Sequence, residues 1–140
     1  MTGLDTNVLI AALISSSSNH ADAIEGLDSL KDLLCTTPTN VGETLRLLTH
    51  PKVFEKNLKL SKAVSHFSSF LESYGILILD EPTDWWKGLA KIEKEIPGLK
   101  GNEIFDARIA LCLKSHGVKR IFTWDSDFKK YSFLRTIKSI

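Results

Sequence analysis

Residues 2–14 read TGLDTNVLIAALI, and the fold turns on this stretch. TGLD reads as a short buried strand. Asp5, Thr6 and Asn7 can then cap a helix over residues 7–14, since a short polar side chain ahead of an apolar run satisfies the first free amides of a helix. Asp5 stands at the junction of the two elements. Its position leaves three readings open: a helix cap, a nucleophile, or half of a metal site.

Outward from this unit the pattern repeats. SSSSN, residues 15–19, reads as a loop. Residues 20–34 carry Ile24, Leu27, Leu30 and Leu34 at helical spacing. CTTP, residues 35–38, reads as a second strand, and residues 39–50 as a helix ended by Pro51. Leu60, Val64, Phe67 and Leu71 mark a helix over 60–73 that stops at Gly75. ILILD, residues 76–80, is an uninterrupted apolar run of the kind found in buried parallel strands. Thr83 can cap a helix striped by Trp85, Leu89, Ile92 and Ile96; PGLKGN, residues 97–102, is a loop. NEIFDARIALCLKSHG is a strongly apolar helix with Gly117 as its C′ residue. RIFTWD, residues 120–125, reads as a strand, DSDFKKY as a polar turn or short helix, and TIKSI as an edge strand. Strands alternating with helices predict an α/β class with a mainly parallel sheet.

The 140 residues fit one domain, with 43% hydrophobic and 25% charged residues, as in an ordinary globular chain. No internal repeat divides residues 1–140. A formal net charge of +1 excludes a global basic field, so contact with nucleic acid requires a local patch. Cys35 and Cys112 have no partners at metal-ligand spacing, which points away from zinc and towards two buried thiols in a reducing compartment. MTGLDT has no basic residue of the kind that opens a secretory signal, and VLIAALI is too short to span a bilayer. The expectation is a cytoplasmic protein without membrane contact.

Ligand sites of open parallel sheets lie beyond the carboxyl ends of the strands. Asp5 ends the first strand, and Asp125 ends RIFTWD with Asp127 two residues on. Glu43 lies early in the helix after CTTP, and Asp106 early in the helix that feeds RIFTWD. Carboxylates held together repel, and a cation relieves them. A set of oxygens without His or Cys suits Mg²⁺ or Mn²⁺ and metal-assisted phosphoryl hydrolysis. Each acid also has a structural reading. Asp5 can be a cap, Glu43 can close a capping box with Asn40, and Asp125 can open a turn. Asp106 fits such a reading least, because its helix has little polar surface.

LDTNVLI, NVGETLRLL, IFDARIALCL and FTWDSDF resemble, in order and over essentially the full length, the four motifs of PIN domains. Bacterial and archaeal VapC-type toxins are the nearest likeness. The resemblance implies a compact three-layer α/β/α sandwich and a Mg²⁺- or Mn²⁺-dependent endoribonuclease. It implies a catalytic quartet of Asp5, Glu43, Asp106 and Asp125, with metal held by Asp5, Asp106, Asp125 and Asp127. Thr6, Asn7 and Thr123 match motif positions whose groups orient carboxylates. It further implies a toxin of a VapBC-type pair, a homodimer and a small antitoxin that covers the cleft.

Phosphate contacts would come from Arg46, Arg108, Lys129 and Lys130. Lys52, Lys56, Lys59 and Lys62 read as a solvated face. Glu103 reads as solvating its helix start, and the four histidines as surface or cap residues. Of the adjacent Trp85 and Trp86, one can join the core while the other faces elsewhere, at a core edge or a partner surface. A haloacid-dehalogenase-like phosphatase needs a second acid where Asn7 stands, and a signalling receiver needs a lysine directly after a late strand. A processing nuclease outside any toxin pair and a PIN fold used only for binding remain as alternatives.

Overall fold

A computed structural model describes residues 1–53 and 57–138. Five strands form one sheet: β1 (Thr2–Leu4), β2 (Leu34–Thr36), β3 (Leu77–Ile78), β4 (Arg120–Phe122) and β5 (Arg135–Ile137). Their order is β3-β2-β1-β4-β5, and every pair is parallel. β1 is central, with Gly3 in register with Cys35 on one side and Ile121 on the other. Six helices cover the sheet: α1 (Thr6–Leu13), α2 (His20–Ser29), α3 (Pro38–Leu48), α4 (Leu60–Tyr74), α5 (Trp85–Glu95) and α6 (Glu103–Ser115). A 3-10 helix, Ser126–Lys130, links β4 to β5.

Successive strand residues point to opposite faces, so neighbours in one strand serve different cores. Leu34 and Phe122 join Val8, Leu9, Leu27, Leu48 and Phe67 from α1–α4. Cys35 and Ile121 join Ile92, Ile109 and Leu113 from α5 and α6, with Phe128 and Tyr131. The result is the expected three-layer α/β/α arrangement. Gly26 of α2 lies against the Phe122 ring, and a Cβ there would run into it. Gly26→Ala is therefore expected to lower stability by about 1–3 kcal/mol, despite alanine's better helix propensity. Urea denaturation checks this; unchanged stability would mean the layer is loosely packed.

Several boundaries differ from the sequence reading. Pro38 opens α3 rather than closing a strand, because Thr37 is the N-cap and Pro is pre-shaped for the first helical turn. That moves Asn40 inside the helix, so it is not the cap of a box with Glu43. α2 stops at Ser29, since Leu30 turns extended ahead of β2. ILILD is not a buried strand. Its paired part is Leu77–Ile78 at the sheet edge, 49% and 48% exposed, while Ile76 and Leu79 are buried. Thr83 gives way to Asp84 at the N-cap of α5. Gly117 does take the left-handed conformation after α6, with φ 69°. Lys56, Ser139 and Ile140 lie outside the described residues. No described helix is long and apolar enough to cross a membrane.

Candidate metal centre

The strand order reverses direction at β1 and β4. The crossover from β1 to β2 runs over one face through α1 and α2, whereas β4 is reached over the other through α5 and α6. Such a switch point opens a crevice at the carboxyl ends of its two strands. Asp5 and Thr123 are the residues that immediately follow β1 and β4. The Asp5 amide donates to the Phe122 carbonyl at 3.1 Å, and the Thr123 hydroxyl donates to Asp5 Oδ2 at 2.6 Å.

Asp5 is 6% exposed. It is the N-cap of α1, with Oδ1 accepting the Thr6 amide at 2.8 Å. Asn40, 1% exposed, donates from Nδ2 to Asp5 Oδ1 at 3.2 Å and to Thr6 Oγ1 at 3.0 Å. Its own Oδ1 accepts the Thr37 hydroxyl at 2.7 Å. Thr6 Oγ1 in turn donates to Glu43 Oε1 at 3.0 Å. Thr123 is the second hub: its oxygen accepts the Asp125 amide at 3.0 Å and Asn7 Nδ2 at 3.4 Å. Thr6, Asn40 and Thr123 thus fix the carboxylates of Asp5 and Glu43, and Thr123 also ties the Asp125 main chain and Asn7 to them. From sequence Asn40 reads only as a cap partner of Glu43, and Thr37 is not singled out. Thr37-Pro38 was the available signal, because a cap followed by proline places Asn40 on the first turn facing inward.

Asp106, Asp125 and Asp127 each offer an oxygen within 4.8 Å of the other two. Asp125 is in turn the N-cap of the 3-10 helix, its Oδ1 accepting the Asp127 amide at 2.9 Å. Asp5 and Glu43 stand outside this close trio. They act on it through space: burial first, then the charges of Asp5, Asp125, Glu43 and Asp127, push the Asp106 carboxyl up to about 6. Asp5 is also pushed up to about 6, mainly by burial, with the bonds from Thr123 and Thr6 opposing and the Glu43 and Asp125 charges adding. The donors are all oxygens, and the Asn7 carboxamide oxygen is buried without a partner among the described residues. Such a set fits a hard divalent cation.

These shifts fix a pH dependence. Both carboxyls bind protons more tightly folded, near 6, than at their ordinary 3.8. The folded state therefore holds extra protons between about pH 4 and 6, and this contribution to stability falls as pH rises through that window. In the presence of chelator, the melting temperature is expected to be higher at pH 5 than at pH 7.5. Mn²⁺ should raise it most at pH 7.5, where the acids are ionised. A chelated protein that melts lower at pH 5, with no Mn²⁺ response at pH 7.5, would contradict this account.

The expected phosphate contacts divide. Arg46 and Lys129 are exposed. Arg108 is already engaged: its guanidinium forks onto Glu81 at 2.7 and 2.8 Å and lies 3.8 Å over the Trp85 ring. Lys130 pairs with Glu103 at 2.9 Å, so Glu103 is neutralised rather than merely solvated. Trp86 is 57% exposed, with Lys87 near its ring. All four histidines bond main-chain groups: His20 Ala11, His50 the Lys52 amide, His66 Leu13 and His116 Asp80.

With this geometry established, comparison with known proteins adds three findings. The family model of the PIN domain matches residues 4–134. Ribonuclease VapC48 of Mycobacterium tuberculosis is 25% identical over 91 residues, covering 65% of this chain and 62% of the relative. The chain thus spans about three-fifths of the length of the curated relative it matches. Among solved structures, the sarcin-ricin loop cleaving toxin VapC20 of M. tuberculosis superposes with a TM-score of 0.70 at 17% identity, over 96% of this chain and 97% of that one. VapBC2 of Rickettsia felis, solved bound to a DNA fragment from its promoter, gives 0.63 at 17% identity, over 97% and 96%.

Proposed function

We propose, from the premise that this chain belongs to the PIN-domain family, that it is a divalent-metal-dependent ribonuclease hydrolysing RNA phosphodiesters. The observation that carries the reading is the close carboxylate trio of Asp106, Asp125 and Asp127 at the switch point, with Asp5 and Glu43 beside it. Asp106, Asp125 and Asp127 would hold Mg²⁺ or Mn²⁺. Asp5, whose Oδ2 accepts only the Thr123 hydroxyl, would add a further carboxylate beside them. When bound, the cation supplies positive charge at a phosphodiester oxygen and makes water there more acidic.

The chain's own residues do the rest. Thr123 and Asn40 hold Asp5 in one rotamer, and Thr6 holds Glu43 by Oε1, leaving Oε2 to take a proton from the attacking water. Arg46 and Lys129 offset the negative cleft for an incoming phosphate. The similarity to VapC48 and VapC20 supports a toxin of a VapBC-type pair, acting on RNA in the cytoplasm as a homodimer and held by a small antitoxin over the cleft.

The test is cleavage of a labelled RNA by purified protein with Mn²⁺, Mg²⁺ or chelator. Activity is expected with either metal, falling to background when the metal is chelated. Cleavage that persists in full chelator would sink the metal-nuclease reading.

A further inference from the structure

Tyr131 is the C-cap of the 3-10 helix and is 0% exposed. Its ring packs between Phe128 and Phe133, 6.0 Å from each by centroid. Its hydroxyl has no partner among the described residues. A buried hydroxyl without a bond is unfavourable, and phenylalanine would fill the same space without that cost. The surroundings indicate what the hydroxyl serves. Tyr131 shares its core cluster with Ala107 and Phe128, the residues that follow Asp106 on α6 and Asp127 on the 3-10 helix. Lys130 Nζ stands 6.0 Å from the Tyr131 ring and 2.9 Å from Glu103, which brings the ring to the amino end of α6. Burial first, then the charges of Asp106, Glu103 and Asp127, push the hydroxyl above its ordinary range. Of these three acids, Glu103 is already paired with Lys130, and Asp127 is exposed. Asp106 remains. Burial and neighbouring charges act on its carboxyl, and no hydrogen bond among the described residues does. Asp5 and Glu43, by contrast, are each held by side-chain donors.

We infer that Tyr131 is a positioning residue for the cation site: its hydroxyl donates to a buried water, which donates in turn to the Asp106 carboxylate. The inference rests on the metal-nuclease reading above. One water satisfies both groups where no direct bond joins them. It also gives Asp106 the kind of supporting bond that orients a carboxylate towards a cation. The core side of the site is then held by a group that donates no charge and touches neither cation nor substrate.

Mn²⁺ affinity is measured by titration calorimetry on the parent, Tyr131→Phe and Phe133→Leu proteins, with melting temperatures in chelator beside it. Tyr131→Phe is expected to weaken Mn²⁺ binding about 10-fold, with a chelated melting temperature no lower than the parent's. Phe133→Leu disturbs the same rings without removing a hydroxyl, and should bind Mn²⁺ within about twofold of the parent. In RNA cleavage, Tyr131→Phe should need about 10-fold more Mn²⁺ for half its maximal rate, and should recover as Mn²⁺ is raised. Equal Mn²⁺ affinity in Tyr131→Phe and the parent overturns the inference and leaves the metal-nuclease reading in place. An equal loss in Phe133→Leu also overturns it, by assigning the effect to packing. So does a weaker affinity that comes with a fall in the chelated melting temperature, which marks a structural role. A parent protein that binds no Mn²⁺ fails the metal-nuclease reading and this inference together.

Discussion

Asp106→Asn is expected to reduce kcat/KM for RNA cleavage by at least about 10³-fold, on the order of 4 kcal/mol of lost transition-state stabilisation. The carboxylate is the member of the close trio that comes from a different element: Asp125 and Asp127 share one turn, whereas Asp106 reaches in from α6. Amide for carboxylate keeps the size and removes the charge that a cation needs. The same change relieves a repulsive cluster, since burial first and then the charges of Asp5, Asp125, Glu43 and Asp127 hold Asp106 up near 6. The variant should therefore fold as well as the parent in chelator, or melt slightly higher at pH 7.5, while losing its response to Mn²⁺. Activity and thermal stability moving in opposite directions distinguish a ligand from a structural carboxylate. An Asp106→Asn protein that cleaves at more than a tenth of the parent rate would remove Asp106 from the centre.

Thr123→Val should cost about 2–3 kcal/mol of stability at pH 8 and weaken Mn²⁺ binding by roughly 10–100-fold. Valine conserves shape, so the loss isolates the hydroxyl. That hydroxyl donates to a buried carboxylate at 2.6 Å and accepts the Asp125 amide at 3.0 Å, joining the ends of β1 and β4. It is also the strongest influence holding the Asp5 carboxyl down against burial. Without it Asp5 climbs further above the value of about 6 that it has in the intact site. The bond favours the ionised carboxylate, so the difference in melting temperature between parent and variant should be larger at pH 8 than at pH 5. Equal differences at the two pH values would show that packing, not the bond to the charged form, is what Thr123 contributes.

Local features of the chain carried much of this centre. Asp5 caps α1 as its neighbours Thr6 and Asn7 suggested, and its cap geometry also aims it into the crevice. The cap reading of Asp5 holds, and the proposed role beside a cation would use the same placement. Asp125 and Asp127 are likewise fixed by a turn in which the Asp125 side chain accepts the Asp127 amide. These are short-range effects, and a few residues suffice to express them. Asn40 shows the opposite case. Its partners Asp5 and Thr6 lie 35 and 34 residues away, and no periodicity in residues 39–50 points at them.

The same division holds for the fold. Alternation of strand and helix determined the α/β class and a parallel sheet, because hydrophobic period and helix caps are written in adjacent residues. The rank of each strand in the sheet was settled only by long-range pairing. ILILD has the composition of a central strand, yet it pairs on one side only and leaves Leu77 and Ile78 in solvent. Arg108, two residues from Asp106, has the charge for a phosphate contact. Glu81, 27 residues away in sequence, takes its fork, and Trp85 its face. Sequence by itself determined which residue types were available and which short elements they form. Tertiary structure decided which carboxylates share a cleft and which cations remain open to a ligand. Those outcomes depend on contacts between segments far apart in the chain, where burial, pairing and charge act together.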